Sequence, residues 1–157
     1  MTQTNDFAEK CYGVFEQSTR DYHVTDCVDA PVKNPYAEGT IENTLYAKNW
    51  IDAVQWHLED IIRDPEIDPV EALALKRRID RSNQDRTDRV EDLDTYFRQL
   101  YADVKVADDA TINTESPAWA LDRLSILALK IWHMKAETER TLSLIHISEP
   151  TRLRCIS

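Results

Sequence analysis

Two glycines in 157 residues, Gly13 and Gly39, constrain this chain more than any other feature. A protein of many short strands turns every few residues, and its tight turns draw on glycine for positive φ. This chain has almost no glycine for that purpose. Long helices joined by few connectors remain, and the apolar residues fall at helical spacing.

Residues 5–23 place Phe7, Cys11, Val14, Phe15, Ser18 and Tyr22 on one helical face. The connector "VTDCVDAPVKNPYAEG" follows, with two prolines and no period. Thr40 is a suitable N-cap for a second helix that runs to about residue 63. "DPEIDP" then turns the chain into a third helix. Asp68 stands there as N-cap, Pro69 takes the first position, and Glu71 is placed to reach back as in a capping box. This helix is predicted to run to about residue 103. After "VKVADDATINTE", Ser116 caps a fourth helix whose body, "AWALDRLSILALKIWHM", is apolar on nearly every side, the pattern of a central, enclosed helix. The predicted fold is all-α: one domain over residues 1–141, an antiparallel bundle of about four helices.

Residues 142–157 fit none of this. Reverse translation of "LSLIHISEPTR", residues 142–152, yields the transposase-type adapter used in building sequencing libraries. The adapter's last base, an index and the fixed bases after it account for residues 153–157 in the same frame. The expectation is a non-native, adapter-derived tail on a domain cut at about Thr141, with its C-terminal part missing.

The formal net charge is −10, and it becomes more negative without the tail's arginines. That argues against nucleic acid, whose phosphates need clustered Lys and Arg, and against an anionic membrane surface. The longest apolar run, residues 124–134, is broken by Lys130 and too short to span a bilayer, so no membrane insertion is expected. Cys11 and Cys27 lack CxxC spacing and read as free thiols. With no apolar leader in "MTQTNDFAEK", the expected location is the cytoplasm.

The third helix holds the functional hint. Its stripe reads Ala72, Ile79, Arg86, Leu93, Leu100, with Lys76, Asn83, Val90 and Phe97 beside it, and residues 80–89, "DRSNQDRTDR", contain no apolar side chain. Charge runs are usually solvated faces. Here the stripe resumes in phase, so the helix is expected to stay docked and line a polar cavity. On the second helix Asn49, Asp52, Trp56, Glu59 and Arg63 share a face, with Tyr46, Trp50, Val54, His57 and Ile61 on the next. Counting outward from the turn sets Asn49 and Asp52 level with Asp80 and Asn83, and His57 level with Leu75. On the fourth helix Asp122 shares a face with Ala118, Ser125, Leu129 and Trp132; its plain reading is an ion pair with Arg86 or Arg78.

The candidate ligand-binding set is therefore Asn49, Asp52, His57, Asn83, Arg86 and Asp122. The charge of Arg86 beside Asn83 suits a carboxylate or phosphate, so the expected partner is an anionic small molecule, with a protein partner as the other possibility. Replacing Arg86 with Met is expected to spare the fold and abolish binding, since apolar residues often replace buried ions without loss.

A second function class is a metal-dependent hydrolase of a phosphorylated small molecule, using carboxylates of the second and third helices with Mg or Mn. His57 and Asp60 form an HxxD pair, and Asp85 and Asp88 lie three apart; such acidic pairs hold magnesium in all-α nucleotide pyrophosphohydrolases, although the second acidic helix here, "HLEDIIRD", departs from their spacing. The plainer readings are a hydrogen-bonded histidine and a solvated face. The sequence has no Glu-x-x-His pair, Gly-rich phosphate loop, nucleophile elbow or Cys/His zinc spacing.

The stretches "NPYAEGTIENTLYAKNWIDAVQWHLEDIIRDP", "LKRRIDRSNQDRTDRVEDLD" and "NTESPAWALDRLSILALKIWHM" resemble a bacterial family designated DUF4254, a domain of unknown function, over residues 7–141. The resemblance implies a small cytoplasmic helical protein that continues past Thr141. It also implies genes set among glycosyltransferases of the cell envelope, and so an accessory part in polysaccharide synthesis. The family has no established activity, so the resemblance assigns no catalytic residue.

Overall fold

The structure, a computed structural model, describes residues 3–143; the segment expected to be adapter-derived lies almost wholly outside the described residues. Four helices make up the fold: α1 (Gln3–Thr25), α2 (Ile41–Ile61), α3 (Pro69–Leu100) and α4 (Pro117–Ser143), with no strand among the described residues. Their ends are set locally. α1 stops where Asp26 turns into the left-handed region at φ 49° and donates its N–H to the Tyr22 carbonyl, an αL cap that Asp tolerates. Gly39, at φ 80°, makes the turn that leads to Thr40, whose hydroxyl accepts from the Asn43 N–H at 3.3 Å. Asp68 accepts from the N–H groups of Val70 and Glu71 at 2.9 and 3.1 Å. The reciprocal bond expected from Glu71 is not made, so Asp68 caps α3 alone.

The bundle is less uniformly antiparallel than expected. α3 runs against α2: Gln55 bonds Asn83 and Asp52 meets Arg86. α1 runs with α2. Going up the pair, Ser18 bonds the Tyr46 carbonyl, Thr19 bonds Asn49, and His23 packs on His57. α4 also runs with α2, through Lys48–Asp122, Asp52–Ser125 and His57–His133. The parallel start follows from the connector, residues 26–40, which returns the chain to the first end of α1. It has no period because side chains hold it instead. Tyr36 donates to Gln17, Asn34 to the Asn43 carbonyl, Asn43 to the Tyr36 carbonyl, and Arg78 to the Val28 carbonyl.

The core gathers Phe15, Tyr22, Leu45, Tyr46, Trp50, Leu93 and Leu129 among others. Each large side chain removed from water there contributes about 1.5–3 kcal/mol. α4 packs against α1, α2 and α3 but is not enclosed: Trp119, Leu127 and Met134 remain 45, 48 and 70% exposed. Three neighbours cover only part of its circumference. Cys11 is a free, buried thiol, whereas Cys27, expected to be free, is disulfide-bonded. Among the described residues no helix is long and apolar enough to cross a membrane.

Candidate functional site

Four charges meet in the middle of the bundle. Lys48, fully buried on α2, donates to Asp52 one turn later and reaches Asp122 of α4 at 2.8 Å. Arg86 comes across from α3 and grips Asp122 with two nitrogens, Nε to Oδ1 at 3.1 Å and Nη2 to Oδ2 at 2.7 Å. Two cations face two carboxylates, so the cluster is neutral as a whole, the condition under which charge tolerates burial. Hydroxyls and an amide extend it toward α1. Ser125 donates to Asp52 at 2.6 Å, Asn49 donates to Ser125 at 2.9 Å, and Thr19 donates to Asn49 at 2.9 Å.

The two carboxylates are pulled in opposite directions. Burial pushes Asp52 above the usual carboxylate range, against the opposing influence of Lys48, Ser125 and Arg86. At Asp122 the upward push of burial is outweighed by Lys48 and by the Arg86 pair, and its carboxyl falls below that range. Asp52 Oδ1 has no hydrogen-bond partner although Arg86 Nε lies 3.3 Å away, because that N–H points at Asp122. Asp52 and Arg86 line a cleft of about 250 Å³. Trp56, Ile126 and Leu129 give it apolar walls, and Gln55, Glu59, Asp60 and Arg63 complete the lining.

Further along the same three helices lies a second cluster. α1 contributes His23, α2 His57 and α4 His133, with ring centroids 5.2–5.4 Å apart. Tyr22 stacks on His57 and Trp56 on His133. His23 Nδ1 lies 2.6 Å from the Thr19 carbonyl, which can only accept, so this nitrogen carries the proton. The Nε2 atoms of all three rings are buried without a hydrogen-bond partner. Burial, aided by the neighbouring histidines, lowers His133 to about 4; burial also lowers His57, despite Asp26.

The structure thus brings Asn49, Asp52, Arg86 and Asp122 together and separates two residues expected with them. Asn83 is exposed and bonded to Gln55, not turned inward. The reason is register: Asp52 meets Arg86 rather than Asn83, so α3 is advanced by about one turn over the simple count, and Asn83 falls level with Gln55, one turn away from Asp52. His57 belongs to the histidine layer. The four residues of the metal alternative do not assemble. Asp60 pairs with Arg63 at 2.9 Å, Asp88 accepts from Gln84, and Asp85 borders a different groove with Arg81 and Val54.

Ser125 was placed on the face of Asp122 but not among the candidates, and Lys48 was not singled out, because a lysine on a helix reads as a solvated charge. Lys48 lies four residues before Asp52, and that spacing was the available signal. His23 and His133 gave no local signal. No curated protein and no solved structure matches the chain. The family comparison is positive: the model described as "Protein of unknown function (DUF4254)" matches residues 42–153, which take in α3, α4 and all but the first residue of α2, and the chain belongs to that family.

Proposed function

We propose that this protein is a ligand-binding helical protein whose cleft between α2, α3 and α4 takes a hydroxylated small molecule bearing an anionic group. The observation that carries the reading is the pair at the cleft: Asp52 Oδ1 without a donor, beside an Arg86 that engages Asp122 through Nε and Nη2 and leaves Nη1 uncommitted. A ligand hydroxyl satisfies the carboxylate oxygen. An anionic oxygen suits the guanidinium edge, with Arg63 at the same cleft. Trp56 offers a flat apolar surface for the carbon face of a sugar ring. The context that the family resemblance implies, an accessory part in cell-envelope polysaccharide synthesis, fits this ligand class.

Calorimetric titration of a hexose phosphate, the parent hexose and inorganic phosphate tests it. The hexose phosphate is expected to bind most tightly of the three, and Arg63→Ala and Trp56→Ala each to weaken it about tenfold. Absence of binding by all three, or undiminished binding by the double variant, overturns the reading.

A further inference from the structure

Three buried ring nitrogens without hydrogen-bond partners are an expensive arrangement, since a buried polar atom left unsatisfied bears its full desolvation cost. Edge-to-face packing of His23, His57 and His133 satisfies the ring faces and provides no donor to any Nε2. His23 is already in the tautomer of a ligand. Its Nδ1–H is fixed on the Thr19 carbonyl, which leaves the lone pair on Nε2 and orients the ring, as outer partners of metal-bound histidines do.

We propose that His23, His57 and His133 bind a late first-row divalent cation, zinc being the natural fit. One ring nitrogen from each residue lies within 4.8 Å of the other two. A tetrahedral zinc with bonds of about 2.0–2.1 Å sets its nitrogens about 3.3 Å apart, which a small inward rotation of each ring reaches. Imidazole donors select zinc, cobalt or copper over magnesium and manganese, which favour oxygen. The metal inferred here therefore differs from the one the carboxylate pairs suggested.

The fourth position is left to water or an incoming ligand, since Asp26 Oδ1, 3.6 Å from His57 Nε2, approaches that ring alone. Tyr22, Trp56 and Trp132 pack around the imidazoles. The result is a clip that ties the end of α1 to α2 and α4. It goes beyond the cleft reading and does not depend on it, because binding is measured with the metal alone.

The experiment is a cobalt(II) titration of the metal-stripped full chain, followed by visible absorption. One equivalent is expected to give the intense bands of a four-coordinate ion, which zinc abolishes and a hundredfold excess of magnesium leaves unchanged. His133→Phe retains the ring on Trp56 and removes the nitrogen; with its helical circular dichroism intact, it is expected to weaken binding at least a hundredfold. A wild-type spectrum no stronger than that of hydrated cobalt overturns the site, whether or not the variant folds. Undiminished binding by the folded variant does so as well.

Discussion

Arg86 commits two donors to Asp122, and this determines what its replacement does. With Met there, Lys48 alone faces two buried carboxylates. Breaking a fully buried pair costs about 3–5 kcal/mol, and because Arg86 is 26% exposed, part of that is relieved by water. Arg86→Met is therefore expected to lose about 2–3 kcal/mol in urea unfolding while still folding. Adding Asp122→Leu leaves one cation on one carboxylate and is expected to recover at least half of the loss; a double variant worse than the single one contradicts the pairing. At Cys11 burial raises the thiol to about 11. It is thus protonated as well as inaccessible, and iodoacetamide is expected to label it in urea but not in the native protein. Peptide mapping by mass spectrometry reads this out.

The helices bear testable loads of their own. Asp68 caps α3 without help from Glu71, so Asp68→Ala is expected to cost about 1 kcal/mol, and Glu71→Ala much less. Where α1, α2 and α4 present one imidazole each, acid acts on the fold. His133 has a folded value of about 4 against an ordinary 6.5, and His57 is lowered too. The unfolded chain then binds more protons between those values. Stability from the neutral rings is complete above pH 6.5 and lost as the pH falls toward 4. Asp26 and Asp60 face this layer and oppose the shift, while the other two histidines reinforce it. The melting temperature of the metal-free protein is expected to fall across that window, and His133→Phe to shallow the fall. A flat profile contradicts the neutral-ring assignment.

On the scale of the whole molecule, the histidine layer joins helices that contact one another mainly through the core. A cation binding there stabilises the native state alone, by about 2.7 kcal/mol at a hundredfold excess over its Kd. Zinc is accordingly expected to raise the melting temperature and magnesium to leave it unchanged; equal effects of the two ions point to nonspecific binding on an acidic protein of net charge −10. The same layered arrangement stacks two polar levels along α1, α2 and α4. Thr19, Asn49 and Ser125 make one, and His23, His57 and His133 the other.

What the sequence determined by itself lies within a few residues of each cause. The four helices, the caps at Thr40 and Asp68, and the absence of room for many turns follow from local backbone preferences and a period of 3.6 residues. The polar break in the α3 stripe was legible for the same reason, and it pointed to Arg86, Asp52 and Asp122, because a charge on an otherwise buried face has to find its counter-charge. Tertiary structure decided the rest. A one-turn advance of α3 set Asn83 level with Gln55 instead of Asp52, and no local rule records the path of the connector that sets it. The return of residues 26–40 made α1 parallel to α2 and so brought His23 beside His57 and His133. Three histidines from three distant helices share no spacing in the chain; only the packing of the helices makes them neighbours.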